Sequence, residues 1–281
     1  MLCLEISFPS ASKFHDWSIL PRLSVVIPTI RVDDFLDQAI DSVLQDNNLD
    51  LELLVYHDGV KPDLSRSWTA DTRVKILNGA KRIGQTKGMN ILISEASGTY
   101  VARLDADDIS YPERLSLQLK FLDENPDAVA IGASVQRIDE KNVPLGPLIF
   151  PSGKDVRRHL ILQNVIPHST LMFRKEIVSK IGGYDEKLSQ MEDYVFILKL
   201  ATEGDIASLK QPLVGYRIHS GQISRGAKPY GSHIRAVLLG RKKLAKKIGI
   251  SFLEIWLKNS IWVLVQYLRY FQIRKPGYDR F

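Results

Sequence analysis

Apolar positions along this chain follow two periods that take turns. Leu23-Ser-Val-Val-Ile-Pro28 and Leu51-Glu-Leu-Leu-Val-Tyr56 are short, nearly continuous apolar runs, as in strands buried on both faces. Between them Phe35, Leu36, Ala39, Ile40, Val43 and Leu44 recur at helical spacing, so strand, helix and strand form a right-handed parallel unit. Arg73 to Leu77 reads as a third strand, and Gly84 opens a helix from Gln85 to Ala96 with Met89, Leu92 and Ile93 inward. Tyr100 to Leu104 is another strand, and Ser110-x-x-Glu113 reads as a capping box opening a helix with Leu115, Leu119 and Leu122 on one face.

The second half continues the alternation. Strands are predicted at Ala128 to Ile138, Ser169 to Phe173 and Val214 to His219, with a turn and extended segment at Pro144 to Pro151. Helices are predicted at Ser152 to Gln163, before Gly182-Gly183, and from Met191, where Tyr194, Ile197, Leu198 and Ala201 share a face. Met1 to Pro21 shows no sustained period and reads as a loosely packed leader. The pattern predicts an α/β protein.

Composition narrows the class. A chain of 281 residues, 44% hydrophobic and 25% charged, folds around one large core or a core with appendages. Cys3 is the single cysteine, which excludes an internal disulfide or a cysteine-based metal cluster and fits a reducing compartment. Met1 to Leu20 lacks the basic start and long apolar run of an export signal.

Charge changes the picture at the C-terminus. From Ile234 to Phe281 eleven Lys or Arg face only Glu254 and Asp279, so the formal net charge of +6 is a property of the tail. Arg241, Lys242, Lys243, Lys246 and Lys247 form a basic helix, and Phe252 to Ile273 is rich in Trp and Tyr. Lys258, Asn259, Gln266 and Arg269 interrupt it, so no membrane-spanning helix is expected. The tail reads as an interfacial helix pair on an anionic membrane surface. The open alternative is a hairpin packed on the domain or on a second subunit in a homo-oligomer. Nucleic acid is not an expected partner, because no groove-reading or base-stacking module is present.

Candidate chemistry centres on Gly98 to Arg114. Asp105, Asp107 and Asp108 lie on the turn leaving the carboxyl end of a strand, where open α/β sheets place ligands. Three carboxylates in four residues repel one another unless a cation or a set of donors neutralises them. Mg²⁺ or Mn²⁺ is the natural partner, and a solvated acidic turn is the plain alternative.

The run Ala102-Arg-Leu-Asp-Ala-Asp-Asp-Ile-Ser-x-Pro-x-Arg-Leu115 resembles the D-x-D region of family-2 glycosyltransferases, the inverting, nucleotide-sugar-dependent enzymes of the GT-A fold. The likeness extends from about Leu23 to Arg225. It implies a mostly parallel, Rossmann-like central sheet with helices on both faces and a helical tail behind it. The implied GT-A domain is 22–226, with a nucleotide-binding half of about 22–110 and an acceptor half of about 111–226. The leader is 1–21 and the tail 227–281.

The resemblance also implies roles. Leu23 to Thr29 matches the family's opening strand, which puts Pro28 and Thr29 at the donor, and Asp58 matches the Asp that accepts from the uracil imide. Ile30, Arg31, His57 and Val60 depart from the family pattern. Asn90 matches a family Asn. Lys87 would lean on a phosphate, with a solvated lysine as the alternative, and Arg103 would pair with a carboxylate or the diphosphate. Asp107 would hold the metal, with Asp105 on the ribose or metal. His168 would orient sugar or base unless it is structural. Arg217 and His219, in a Tyr-Arg-x-His segment, would face the diphosphate or metal.

Glu192-Asp193 matches the family's Glu-Asp motif, with Asp193 as catalytic base and Glu192 supporting it. The implied activity is transfer of a sugar from a nucleoside diphosphate, UDP by resemblance, to a hydroxyl of a glycan or lipid-linked glycan. The implied place is cytoplasmic, peripheral on the inner face of the cell membrane. A catalytically silent nucleotide-sugar binder or scaffold is the second reading. A nucleotidyltransferase is disfavoured, because Thr29-Ile-Arg-Val-Asp33 is not a glycine-rich triphosphate loop.

Overall fold

The computed structural model describes residues 5–7, 21–221 and 228–271. In chain order its strands are β1 (Glu5–Ser7), β2 (Leu23–Thr29), β3 (Leu51–Asp58), β4 (Val74–Gly79), β5 (Tyr100–Arg103), β6 (Ile109–Ser110), β7 (Ala128–Ile138), β8 (Pro144–Leu148), β9 (Met172–Arg174) and β10 (Asp205–Arg217). The helices are α1 (Asp34–Leu44), α2 (Gln85–Glu95), α3 (Arg114–Glu124), α4 (Arg157–Leu160), α5 (Glu176–Ile181), α6 (Glu192–Glu203), α7 (Ser232–Lys247) and α8 (Phe252–Tyr270). All ten strands join one sheet in the order β1-β4-β3-β2-β5-β9-β7-β10-β6, with β8 beside β7. The β4-β3-β2-β5 half is parallel, as is the β7-β10 pair, while β1, β6, β8 and β9 run antiparallel to their neighbours.

Burial follows the sequence period. In β2, Val26 enters one core while Leu23, Val25 and Ile27 enter the other, so alternate residues feed both faces of a doubly covered sheet. On one side lie Leu36, Ala39, Ile40 and Val43 of α1 with Leu115, Leu119 and Leu122 of α3. The opposite core takes Met89, Leu92 and Ile93 of α2 together with inward residues of α5, α6, α7 and α8. Helix α1 starts where Asp33, in extended backbone, accepts from the Leu36 N–H at 3.1 Å, an N-cap that satisfies one orphan donor.

Several expectations need correction. The leader contributes β1, which pairs with the free edge of β4. Expectations for the rest of the leader, for residues 222–227 and for those beyond Phe271 lie outside the described residues. Ser110-x-x-Glu113 is not a capping box: Ser110 is taken into β6, opposite Val214 of β10, and its N–H donates to Ser42 Oγ at 3.0 Å. The helix therefore starts at Arg114, behind Glu113 at φ +68°.

The predicted helix over Ser152 to Gln163 shrinks to α4. Gly153 instead exchanges backbone hydrogen bonds with Ser208 of β10, and the Val156 N–H donates to the Ile206 carbonyl. His168–Thr170 is a 3₁₀ turn before β9 rather than a strand. Thr170 spends its hydroxyl on the Pro167 carbonyl and the Ala133 N–H, an alternative to the ladder.

Candidate active site

Strands β2, β3, β5 and β10 end on the same edge of the sheet, and the segments leaving their carboxyl ends converge there. A cleft at this edge is lined by Pro28 and Thr29 from β2, Tyr56 and Asp58 from β3, Arg82 and Gly84 before α2, and Asp105 and Asp107 after β5. The lining thus includes five residues expected at the donor or metal: Pro28, Thr29, Asp58, Asp105 and Asp107.

Thr29 closes a tight turn, its hydroxyl donating to the Arg31 carbonyl at 2.7 Å and accepting from the Arg31 N–H at 3.1 Å. Asp58 accepts the Ile83 and Gly84 N–H groups at 2.6 and 2.9 Å, so the carboxylate first of all pins the loop that enters α2. Gly59 turns the chain away at φ +73°, where an added Cβ would meet Arg82 backbone at 2.3 Å. His57 is fully buried, with neither ring nitrogen hydrogen-bonded among the described residues, and burial lowers its pKa to about 4. It packs in the strand and takes no part in the cleft lining.

The acidic loop divides its carboxylates among three tasks. Asp105 is gripped by Arg103 through both of its oxygens, so Arg103, buried on β5, takes the carboxylate-pairing option. Burial alone would push Asp105 up, but Arg103's charge and hydrogen bonds outweigh it and hold the carboxyl below its usual range. Asp108 is buried, and its pKa is driven well up by desolvation and by the charges of Asp105 and Asp107. Ser169 Oγ stands 2.6 Å from Asp105 and 2.5 Å from Asp108. One hydroxyl proton cannot serve both carboxylates at once, and of the two Asp108, with its pKa driven up, gives up its charge the more readily. Asp107 is the third, lining the cleft with His219 Nε2 2.9 Å and Arg31 Nη2 3.4 Å from its Oδ2.

Carboxylate oxygens of Asp105, Asp107 and Asp108 come within 4.8 Å of one another. Hard oxygen donors with an imidazole alongside suit Mn²⁺ or Mg²⁺, and the mutual repulsion that raises Asp108 is what a cation would relieve. With Asp105 gripped by Arg103 and Asp108 buried between Ser169 and the Arg217 N–H, the cleft-lining Asp107 with His219 is the fitting pair.

Three expected residues stand elsewhere. Arg217 is fully buried, donating to the Asp107 and Asp139 carbonyls at 2.7 and 3.2 Å and to Asn142 and Gln38 side chains at 2.7 and 3.0 Å. It fixes the acidic loop from behind. Lys87 is exposed on α2 and outside the cleft lining, where Arg82 is the basic residue of that loop instead. His168 bonds Tyr184 Oη at 2.6 Å behind Asp105, and burial first, then Arg103, hold it well below the usual histidine range. Arg217 and His168 carry a structural load rather than line the cleft.

Glu192 and Asp193 open α6, where unpaired N–H groups favour ionised carboxylates. Asp193 Oδ2 accepts from Asn164 Nδ2 at 3.1 Å. Burial raises its pKa, and the opposing charges of Arg103 and Asp105 are both felt there, which relates the α6 start to the acidic loop. Glu192 is raised likewise by burial and by Asp193. Sequence reasoning missed Arg31, Arg82, Asn164 and Ser169. Arg31 was visible as a charge straight after the Pro-Thr strand end; the other three act through contacts between distant segments.

A strand-edge cleft with a D-x-D loop, on a mixed sheet covered by helices on both faces, is the arrangement of the GT-A fold. The solved Staphylococcus aureus TarS 1–349 in complex with UDP-GlcNAc shares that fold at TM-score 0.66 and 18% identity, over 91% of this chain and 76% of TarS. The model of glycosyl transferase family 2 matches residues 24–182, and the chain belongs to that family. Relatives include the O-antigen biosynthesis glycosyltransferase WbnJ of Escherichia coli, 30% identical over 75% of this chain and 85% of its own. The amylovoran biosynthesis glycosyltransferase AmsE of Erwinia amylovora is 30% identical over 75% and 81%.

Proposed function

We propose that this glycosyltransferase moves a sugar from a nucleoside diphosphate, with uridine as the nucleoside, to a hydroxyl of a glycan or lipid-linked glycan, inverting the anomeric carbon. The observation that carries the reading is the pairing of two acidic stations. Asp107 lines the strand-edge cleft, while Asp193 opens α6, whose Phe196 stacks at 3.9 Å on Tyr184, the partner of His168 behind Asp105. UDP-GlcNAc in TarS supports the donor class, and the polysaccharide roles of WbnJ and AmsE support a glycan acceptor.

In this mechanism Pro28, Thr29 and Tyr56 wall the nucleoside side of the cleft, and Asp58 keeps the Ile83–Gly84 loop in place while offering its remaining lone pairs to a base edge. Arg31 and Arg82 bring positive charge to the diphosphate side. Asp107 and His219 would hold Mn²⁺ or Mg²⁺, which when bound offsets charge on the departing diphosphate. Asp193 takes the proton of the acceptor hydroxyl as that oxygen attacks the face opposite the leaving group. Its raised pKa makes it a stronger base than an ordinary Asp, and the Asn164 amide orients it. Glu192 has a supporting place beside it at the start of α6. A single displacement needs no carboxylate nucleophile, unlike retaining hydrolysis.

A panel of nucleoside-diphosphate sugars, with Mn²⁺ or Mg²⁺ and read for released nucleotide, tests the proposal. Turnover of at least one UDP-sugar is expected. Tight UDP binding without hydrolysis or transfer for any donor would favour the silent binder. The site of action is proposed as the cytoplasmic side of the cell membrane.

A further inference from the structure

Helix α8 is built inside out for a helix facing water. The stripe it turns inward is Ile255, Asn259, Trp262 and Gln266, which includes two amides, and neither polar atom of Asn259 has a partner among the described residues. Its outer face carries Phe252, Leu253, Trp256, Leu257, Ile261 and Leu264, between 47% and 76% exposed. Apolar surface this contiguous marks an interaction site.

Charge identifies what covers it. Between residues 228 and 271 nine Lys or Arg meet one acid, Glu254, which Lys258 already pairs at 2.6 Å. Lys242, Lys243, Lys246 and Lys247 are exposed on the last turns of α7, and five residues later Phe252 and Leu253 begin the apolar face. A second copy seated there would bring the same lysines against these. Anionic headgroups would complement them. No helix among the described residues is long and apolar enough to cross a membrane, so the seat is interfacial.

We propose that the α7–α8 hairpin docks this chain on an anionic lipid bilayer, its lysines on the headgroups and the outer face of α8 in the headgroup boundary. The hairpin is tied to the catalytic half. Gly240 of α7 lies against Leu198 of α6, Trp262 packs 6.5 Å from Tyr194 between ring centres, and the Arg241 guanidinium sits 5.1 Å over Trp262. Tyr194 neighbours Asp193, so on the transferase reading a docked bilayer lies on the acceptor side, suited to a lipid-anchored acceptor. That corollary rests on the transferase reading; the docking itself does not.

Sedimentation of the full chain with vesicles tests the surface without any activity readout. Partition into phosphatidylcholine vesicles containing phosphatidylglycerol is expected to exceed partition into phosphatidylcholine alone at least tenfold, and to fall as salt rises. Replacing Lys242, Lys243, Lys246 and Lys247 by Gln should lower it by about fivefold per lysine. The double variant Leu253→Glu, Trp256→Glu should lose at least tenfold with Tm unchanged, since both side chains are exposed. Leu257→Ser with Leu264→Ser serves if that variant does not fold. Equal partition into neutral vesicles, or none into anionic ones, overturns the proposal. So does a dimer that Leu253→Glu dissociates while vesicles bind nothing.

Discussion

His57 ends β3 with both ring nitrogens buried and no hydrogen-bond partner among the described residues, in the position where family resemblance expects an Asp. Burial lowers its pKa from 6.5 to about 4, so between these values the unfolded chain holds a proton that the folded chain refuses. Its effect on stability is therefore absent above about pH 6.5, and stability is lost as pH falls towards 4, by up to roughly 3 kcal/mol. His57→Leu should be tolerated at pH 7 and lose less stability than the parent between pH 6.5 and 4, measured by urea unfolding. A parallel pH dependence in both proteins would contradict this. At Asp193 the sign is different in kind, because the proposed role as base needs the ionised form. Its raised pKa should set the acid limb of kcat above the ordinary Asp value of 3.8. Asn164→Ala, which removes a hydrogen bond to the charged form, should move that limb further up in a pH-rate profile.

Elements that periodicity could reach were legible: β2, α1, β3, α2, β7 and α6 fall where the apolar pattern predicts. The failures at Ser110 and at Ser152 to Gln163 share one cause, recruitment by a strand far away in sequence. Strand β10 runs for 13 residues beside β7, captures Ser110 into β6 and bonds the backbone around Gly153, and no local signal at those positions announces it. The site divided the same way. Asp105, Asp107 and Asp193 stood out through their motifs, whereas the place of Arg217, behind the loop, depends on Gln38, Asn142 and carbonyls from two segments. Close approach between elements is testable at two glycines. A Cβ at Gly79 would lie 2.3 Å from Tyr56 Oη, and one at Gly240 would meet Leu198 at 3.1 Å. Gly79→Ala and Gly240→Val should each cost about 1–3 kcal/mol in urea unfolding, through overpacking where strand meets cleft and where α7 crosses α6. Unchanged midpoints would show that these contacts yield.

At the scale of the whole molecule, one sheet edge gathers the proposed donor side from β2, β3 and β5, while the start of α6 brings Asp193, the proposed base. Ligand linkage should make this visible. Mn²⁺ with UDP is expected to raise Tm in the parent chain, and Asp107→Ala should abolish the metal-dependent part of that rise. An unchanged metal effect in Asp107→Ala would remove the role given to that carboxylate. The division of labour between the two acidic stations is tested most directly by measuring UDP affinity and sugar transfer side by side in Asp193→Asn. With the cleft intact and the base gone, Kd should stay within about twofold while kcat falls by about 10²-fold or more. Loss of UDP binding, or retained kcat, would contradict the assignment of Asp193 as the group that deprotonates the acceptor.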